Sequence, residues 1–257
     1  MIYFKYVKMA LKSLAQYRLS LLLTTIGQLA ATALAFLSMW LLFDRFGTLD
    51  GYSFGEVALT FCVTLTAFAF TECFFRGFDT FSHMIRQGTF DRVLLRPRGT
   101  VLQVIGSTVE FSRLGRLAVS VTMLLWAIGN SGFEWTILKG VALMLMLISG
   151  VFIFAGVFIL GATVCFWTMD GLEFINIFTD GAREFASYPL TIYAKRVTQF
   201  FTFIIPYGCI NYLPLTYITG RSDNPLYALT PLFGIAFIIP CFLLWRWGVR
   251  HYLSTGN

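Results

Sequence analysis

Between Leu19 and Phe43 the chain runs 25 residues without a charged side chain, and between Gly140 and Met169 it runs another 30. A helix of about 20 apolar residues crosses the roughly 30 Å of hydrocarbon in a bilayer, where backbone amides must be satisfied inside the helix itself. Runs of this length predict an all-α polytopic membrane protein. Composition agrees: 57% of the 257 residues are hydrophobic, 18% aromatic and only 12% charged. That balance excludes an ordinary soluble domain. The net charge of +6 does not point to nucleic acid. The basic residues gather at the ends of the apolar runs, where they face the lipid bilayer's phosphates and set orientation.

Charge placement then orders the chain. Lys5, Lys8, Lys12 and Arg18 precede the first run and only Arg45 follows it closely, which puts the N-terminus in the cytoplasm. Over residues 1–17, Lys5, Lys8, Lys12 and Gln16 share one helical face opposite Ile2, Tyr3, Tyr6, Leu11 and Leu14, the pattern of an interfacial helix. Asp44 to Ser53 reads as an exterior turn. A second span covers about 55–75, with Glu72 and Arg76 one helical turn apart near its cytoplasmic end. The basic segment 76–100 follows as a cytoplasmic loop. A third span is uncharged from Leu117 to Phe133, with Glu110 and Arg113 on one face of its first turns. The last span is Leu226 to Trp247, stopped on the inside by Arg246 and Arg250. The expectation is six spans with both termini cytoplasmic. Hydropathy alone places span five at 197–220 and leaves 170–196 as a cytoplasmic helix.

Within the basic loop, Met84 to Pro97 reads MIRQGTFDRVLLRP. Gly88 can stop one helix, Asp91 can cap the next, and Pro97 ends it. The result is a short helix lying across the cytoplasmic end. Phe90, Val93 and Leu94 fall on one face, and Arg92 and Arg96 on an adjoining one.

The order Ile85-Arg86, Gly88, Asp91, Leu94-Leu95-Arg96-Pro97 resembles the loop between spans two and three in permease subunits of type-2 ABC exporters, in the six-span branch with an IRxGxxDxxLLRP signature. The resemblance implies that Ile85, Arg86, Gly88, Phe90, Asp91, Arg92, Val93, Leu94, Leu95 and Arg96 dock a separate ATPase subunit. It implies ATP and magnesium on that partner and no cofactor on this chain. It also implies a second permease, similar but different, and the plasma (inner) membrane of a prokaryote. YPLTIY at 188–193, IIP at 204–206 and NYLPLTYITGR at 211–221 resemble the exterior segment that such permeases fold partway back into the membrane. On that reading span four is 136–160, span five is 169–187, and 188–220 is re-entrant, where Pro189, Pro206 and Pro214 suit broken helices. The closing WRWGVRHYLSTGN resembles the C-terminus of the same branch.

Chemistry of other kinds is thin. No G-x-x-x-x-G-K-[ST] motif is present to hold a nucleotide. His83 and His251 have no ligand-spaced companions, and the five cysteines are scattered through apolar runs, so the pattern does not point to an enzyme; the resemblance implies a transport subunit. One polar feature stands out. At about 100° per residue, Asp170, Glu173, Asp180 and Glu184 share one stripe with Arg183 to its side. Within a span these acids would line a wet pathway and favour cationic or amphipathic substrates. On a cytoplasmic helix they are a solvated face. A secondary transporter or a non-transporting scaffold is the competing class, but inverted halves with paired broken helices are not evident.

Overall fold

The structure, a computed structural model, describes residues 18–168 and 176–253 of the chain. The expected interfacial helix over 1–17 therefore lies outside the described residues, as do Asp170 and Glu173. Helices α1 (Arg18–Phe46), α2 (Phe54–Asp79), α3 (Phe81–Arg86), α4 (Phe90–Leu94), α5 (Thr100–Ser107), α6 (Leu114–Gly129) and α7 (Ile137–Val164) form the first two thirds. A π-helical turn at Ile177–Gly181 then leads into α8 (Ala182–Ala186). After it come α9 (Lys195–Phe203), α10 (Gly208–Asn211), α11 (Leu213–Ile218), α12 (Leu226–Leu229), α13 (Pro231–Ala236) and α14 (Ile238–Arg250). Among the described residues, four helical stretches are long and apolar enough to cross a membrane: Leu22–Phe46, Phe54–Arg86, Ile137–Val164 and Leu226–Arg250. Leu114–Gly129 is apolar but shorter.

Helix α2 is the axis of the bundle, with α6 and α7 against it and α5 crossing its far end. Its sequence suits that place. Ala58, Ala67 and Ala69 let neighbouring backbones approach, and the apolar side chains between them are buried almost without a break from Val57 to Ala69. Two of the buried threonines on α2 bond within the helix itself. Thr60 and Thr71 bond back to Glu56 and Ala67 carbonyls at 3.1 and 2.9 Å. By contrast, α1 and the last span bury little of themselves and present Leu22, Leu23, Ile26, Ile239 and Leu243 outward.

At its start α2 is fixed by a capping box. The Ser53 hydroxyl accepts from the Glu56 amide, and the Ser53 amide donates to Glu56 Oε2 at 2.7 Å. Arg221, in the link between α11 and α12, grips the same carboxylate with two N–H groups at 2.7 and 2.8 Å. Its Nη2 also donates to the Gly51 carbonyl at 2.6 Å, and its guanidinium lies 4.0 Å from the Tyr52 ring centroid. Such bidentate pairs combine strength with fixed geometry.

Hydropathy's single span over 197–220 is not what the chain forms. The segment breaks between Phe203 and Gly208 and again at Tyr212. Pro206 sits in the first gap and supplies no backbone N–H, while Pro214 starts α11 in the first turn, where none is needed. Side chains beside these breaks reach back to carbonyls of the preceding segment. Ala186 O accepts from Thr64 Oγ1 at 2.9 Å and Asn211 Nδ2 at 2.8 Å, and Phe178 O accepts from the Tyr207 hydroxyl at 3.0 Å. Pro240 falls in the first turn of α14. The helical path of the last span is interrupted at Thr230 and Phe237.

Replacing Arg221 by Met should lower stability by about 2 kcal/mol, the worth of charge-assisted hydrogen bonds to a carboxylate left shielded. Thermal unfolding of the purified protein in detergent checks this, and an unchanged midpoint would show that the turn end is held by other contacts.

Candidate functional site

Two features meet at the loop end of α2: the folded loop itself and a buried ion network. The loop begins where Gly88 ends α3. With φ at +63°, Gly88 closes a full helix-terminating turn: its own N–H reaches Ile85 O, and the Thr89 N–H reaches Met84 O, both at 3.0 Å. This much matches the sequence. The cap does not. Thr89, not Asp91, is the residue before α4, and no side chain caps the helix. Asp91 lies inside the first turn, where its charge suits the helix dipole. It also lies beside Tyr252, whose phenol is pushed up to about 12 by burial and by the Asp91 carboxylate.

The apolar side of the loop is occupied by the chain itself. Phe90 is fully buried, with ring centroids of Phe81 at 5.0 Å, Tyr252 at 5.1 Å, Phe166 at 5.6 Å and Trp245 at 6.2 Å. Trp245 in turn packs on Phe78 and Phe81 and donates its indole N–H to Thr100 Oγ1 at 3.2 Å. Ile85 and Val93 are buried in the same cluster. The expected docking face of Phe90, Val93 and Leu94 is therefore split, because the aromatic C-terminal end reaches the apolar side first. What remains outward is Arg86, Arg92, Leu94, Leu95, Arg96, Pro97 and Arg98, with Leu95 85% exposed. This tip is held in shape by Gln103, whose Nε2 donates to the Val93 and Arg98 carbonyls at 3.1 Å each. Helix α5, which carries Gln103, lies directly on α2 at Gly77, where any Cβ would overlap the Val104 carbonyl oxygen.

The ion network stands one turn further into the bundle. Glu72 is 2% exposed, yet three guanidiniums surround it: Arg116 hydrogen-bonded to Oε2, Arg113 at 3.2 Å and Arg76 at 3.6 Å. Arg76 also meets Asp79 at 2.6 Å, and Arg113 meets Glu110 at 3.0 Å. The sequence offered the two short-range pairs, Glu72 with Arg76 and Glu110 with Arg113. It gave no sign of Arg116, whose partner lies 44 positions away. In an apolar bundle a lone carboxylate is costly, and the three arginines compensate it within a network of three arginines and three carboxylates.

Of the acidic stripe, Asp180 and Glu184 are described, and both are well exposed. Arg183, expected to their side, pairs with both: with Asp180 at 3.7 Å and with Glu184 through a hydrogen bond. A π-turn over Ile177–Gly181 lies within this segment. The Arg183 guanidinium also lies 5.1 Å from the Phe68 ring centroid. Together with Arg116, it faces a cavity of about 140 Å³ enclosed by α1, α2, α6 and α8. Among the described residues no group of three or more His, Cys, Asp or Glu is placed to hold a metal.

Glu72→Gln should destabilise the protein by about 3–5 kcal/mol, since Arg116 loses its carboxylate partner and Arg76 and Arg113 each lose one of theirs. Glu110→Gln, at the solvated rim of the same network, should cost less than about 1 kcal/mol. Thermal unfolding of the two variants side by side reads the contrast, and equal effects would show that Glu72 is not the centre of the network.

The sequence profile of a family described as ABC-2 family transporter protein matches residues 29–256, all but the two ends of the chain. No curated protein matches it.

Proposed function

The chain belongs to the ABC-2 transporter family, a multi-pass membrane permease by its apolar helices, and on that premise we propose that it is the membrane-spanning half of an ATP-driven exporter. In this reading a separate ATPase carries ATP and magnesium, and a second, similar permease completes the path. Six spans are counted as the four long apolar helices, the shorter α6 and the segment that ends in α8. Residues 188–220 are then the exterior segment that folds partway back, and both termini are cytoplasmic, at the inner membrane of a prokaryote.

One observation carries the reading of the loop. Its apolar core is locked to the chain's own aromatic cluster, while Leu94, Leu95, Arg96 and Pro97 stand free of that core on a rigid base. A rigid protrusion that offers a leucine pair flanked by arginines fits an apolar groove edged with acids on a partner. The buried members of the signature, Ile85, Phe90 and Val93, then act as its foundation. Gly88 supplies the turn, and Arg86, Asp91, Arg92 and Arg96 supply the polar edge. Asp180 and Glu184, exposed on a chain of this apolarity, belong on a wet path or against the second permease, because lipid would not tolerate them.

The test is co-purification of the ATPase. Leu95→Ser combined with Arg96→Ala should release the ATPase and leave the melting temperature unchanged, because both side chains are exposed. Phe90→Ala should instead lower stability by about 3–5 kcal/mol. Full retention of the ATPase by the exposed pair would remove the docking role from the loop. Orientation is checked by impermeant thiol labelling: cysteines placed at Ser53, Ser131 and Lys195 should react from outside intact cells, and one placed at Thr89 only after permeabilisation.

A further inference from the structure

The cavity of about 140 Å³ between α1, α2, α6 and α8 has room for about four waters. Its wall changes character from one side to the other. Ala31, Ala35, Phe61 and Leu65 make one side apolar. Arg116, Arg183 and Glu184 make the other side charged, with both signs present. Neither guanidinium is free to swing away, since Glu72 holds Arg116 from behind and Phe68 lies under Arg183. Glu184 is the most exposed of the three charged groups and hydrogen-bonds Arg183 at the mouth. Two fixed cations would repel a simple cation that entered beside them, and Glu184 would repel a simple anion. A molecule that carries an ammonium and a phosphate or carboxylate side by side can satisfy Glu184 and the arginines together. It also brings no net charge into an apolar bundle, which limits the desolvation cost.

We infer that this cavity is a recognition site for the zwitterionic end of a small molecule, an ammonium paired with a phosphate or carboxylate. The inference rests on the proposed export path and gives that path a substrate class other than a plain cation. The anionic group would lie between Arg116 and Arg183, the ammonium at Glu184, and any apolar tail along Ala31 and Ala35. The same headgroup chemistry occurs on a membrane lipid and on a soluble metabolite, and the presence of a tail separates the two.

The test measures equilibrium binding to the assembly purified with its partners in nanodiscs. Four radiolabelled probes are compared: lysophosphatidylethanolamine, tail-free glycerophosphoethanolamine, an alkyl trimethylammonium and an alkyl phosphate of the same chain length. At least one zwitterion should bind about tenfold tighter than both single-charge probes. Binding of the lyso-lipid alone identifies a lipid headgroup, and equal binding of glycerophosphoethanolamine identifies a soluble ligand. Glu184→Gln should erase the preference over the alkyl phosphate while leaving the melting temperature unchanged. Ala35→Phe should fill the cavity and abolish binding of every probe. If the trimethylammonium binds best and Glu184→Gln abolishes it, the zwitterion inference fails while the export path stands. If no probe binds and Ala35→Phe leaves ATP hydrolysis by the assembly unchanged, the cavity is no recognition site and the inference fails; loss of the ATPase from the purified assembly is the separate result that would overturn the export reading.

Discussion

A carboxylate buried in an apolar helix has to be answered by positive charge, and the answer given to Glu72 organises one end of this molecule. Arg76 comes from the same helix, but Arg113 and Arg116 come from the start of α6. The chain between them, residues 80–112, must therefore leave α2 and return to it within a short reach. It does so as α3, α4 and α5, a folded loop rather than a solvated one. Gly77 permits α5 to lie against α2 on the way back, and Gln103 on α5 ties down the outer tip. The loop thus has the stiffness that a lever needs.

The aromatic cluster extends this unit to the far end of the sequence. Phe81 and Phe90 belong to the loop and Phe166 to the end of α7, while Trp245 lies on α14 and Tyr252 just beyond its last turn. Edge-to-face rings of this kind each add to the burial of large apolar surface. The rings thus pack the loop against α2, the residues just past α7, and α14. Arg116 links the same unit to the cavity, because it meets Glu72 on one side and lines the cavity on the other. In this account the mechanical input and the recognition site share one side chain.

Much of this was legible in the sequence, for reasons that can be named. Uncharged runs announced the long helices, since a bilayer leaves the backbone no alternative. Gly88 announced its turn, because positive φ favours glycine. Short-range pairs such as Glu72 with Arg76 follow from helix geometry alone. The distant contacts were not legible: Arg116 to Glu72, Arg221 to Glu56, and Trp245 to Thr100 each join segments far apart in the chain. Phe90 shows the same limit from the other side. Its position on an amphipathic helix marked it as a contact residue, but not that the contact was internal. Hydropathy also read 197–220 as one span, because apolar content does not report whether Pro206 lets the helix continue. The π-turn at Ile177–Gly181 was likewise not legible, because hydrophobic periodicity does not report a five-residue turn.

The central claim is that the loop and the charged cavity move as one body when the ATPase engages. Spin labels at Arg98→Cys and Asp180→Cys test it, since both positions are exposed and all five native cysteines are buried. The distance between the two labels, measured by pulsed electron resonance in the assembled transporter, should be the same in the nucleotide-free and ATP-bound states. A change approaching one helical turn, about 5.4 Å, would show that the loop moves against the spans and would contradict the account.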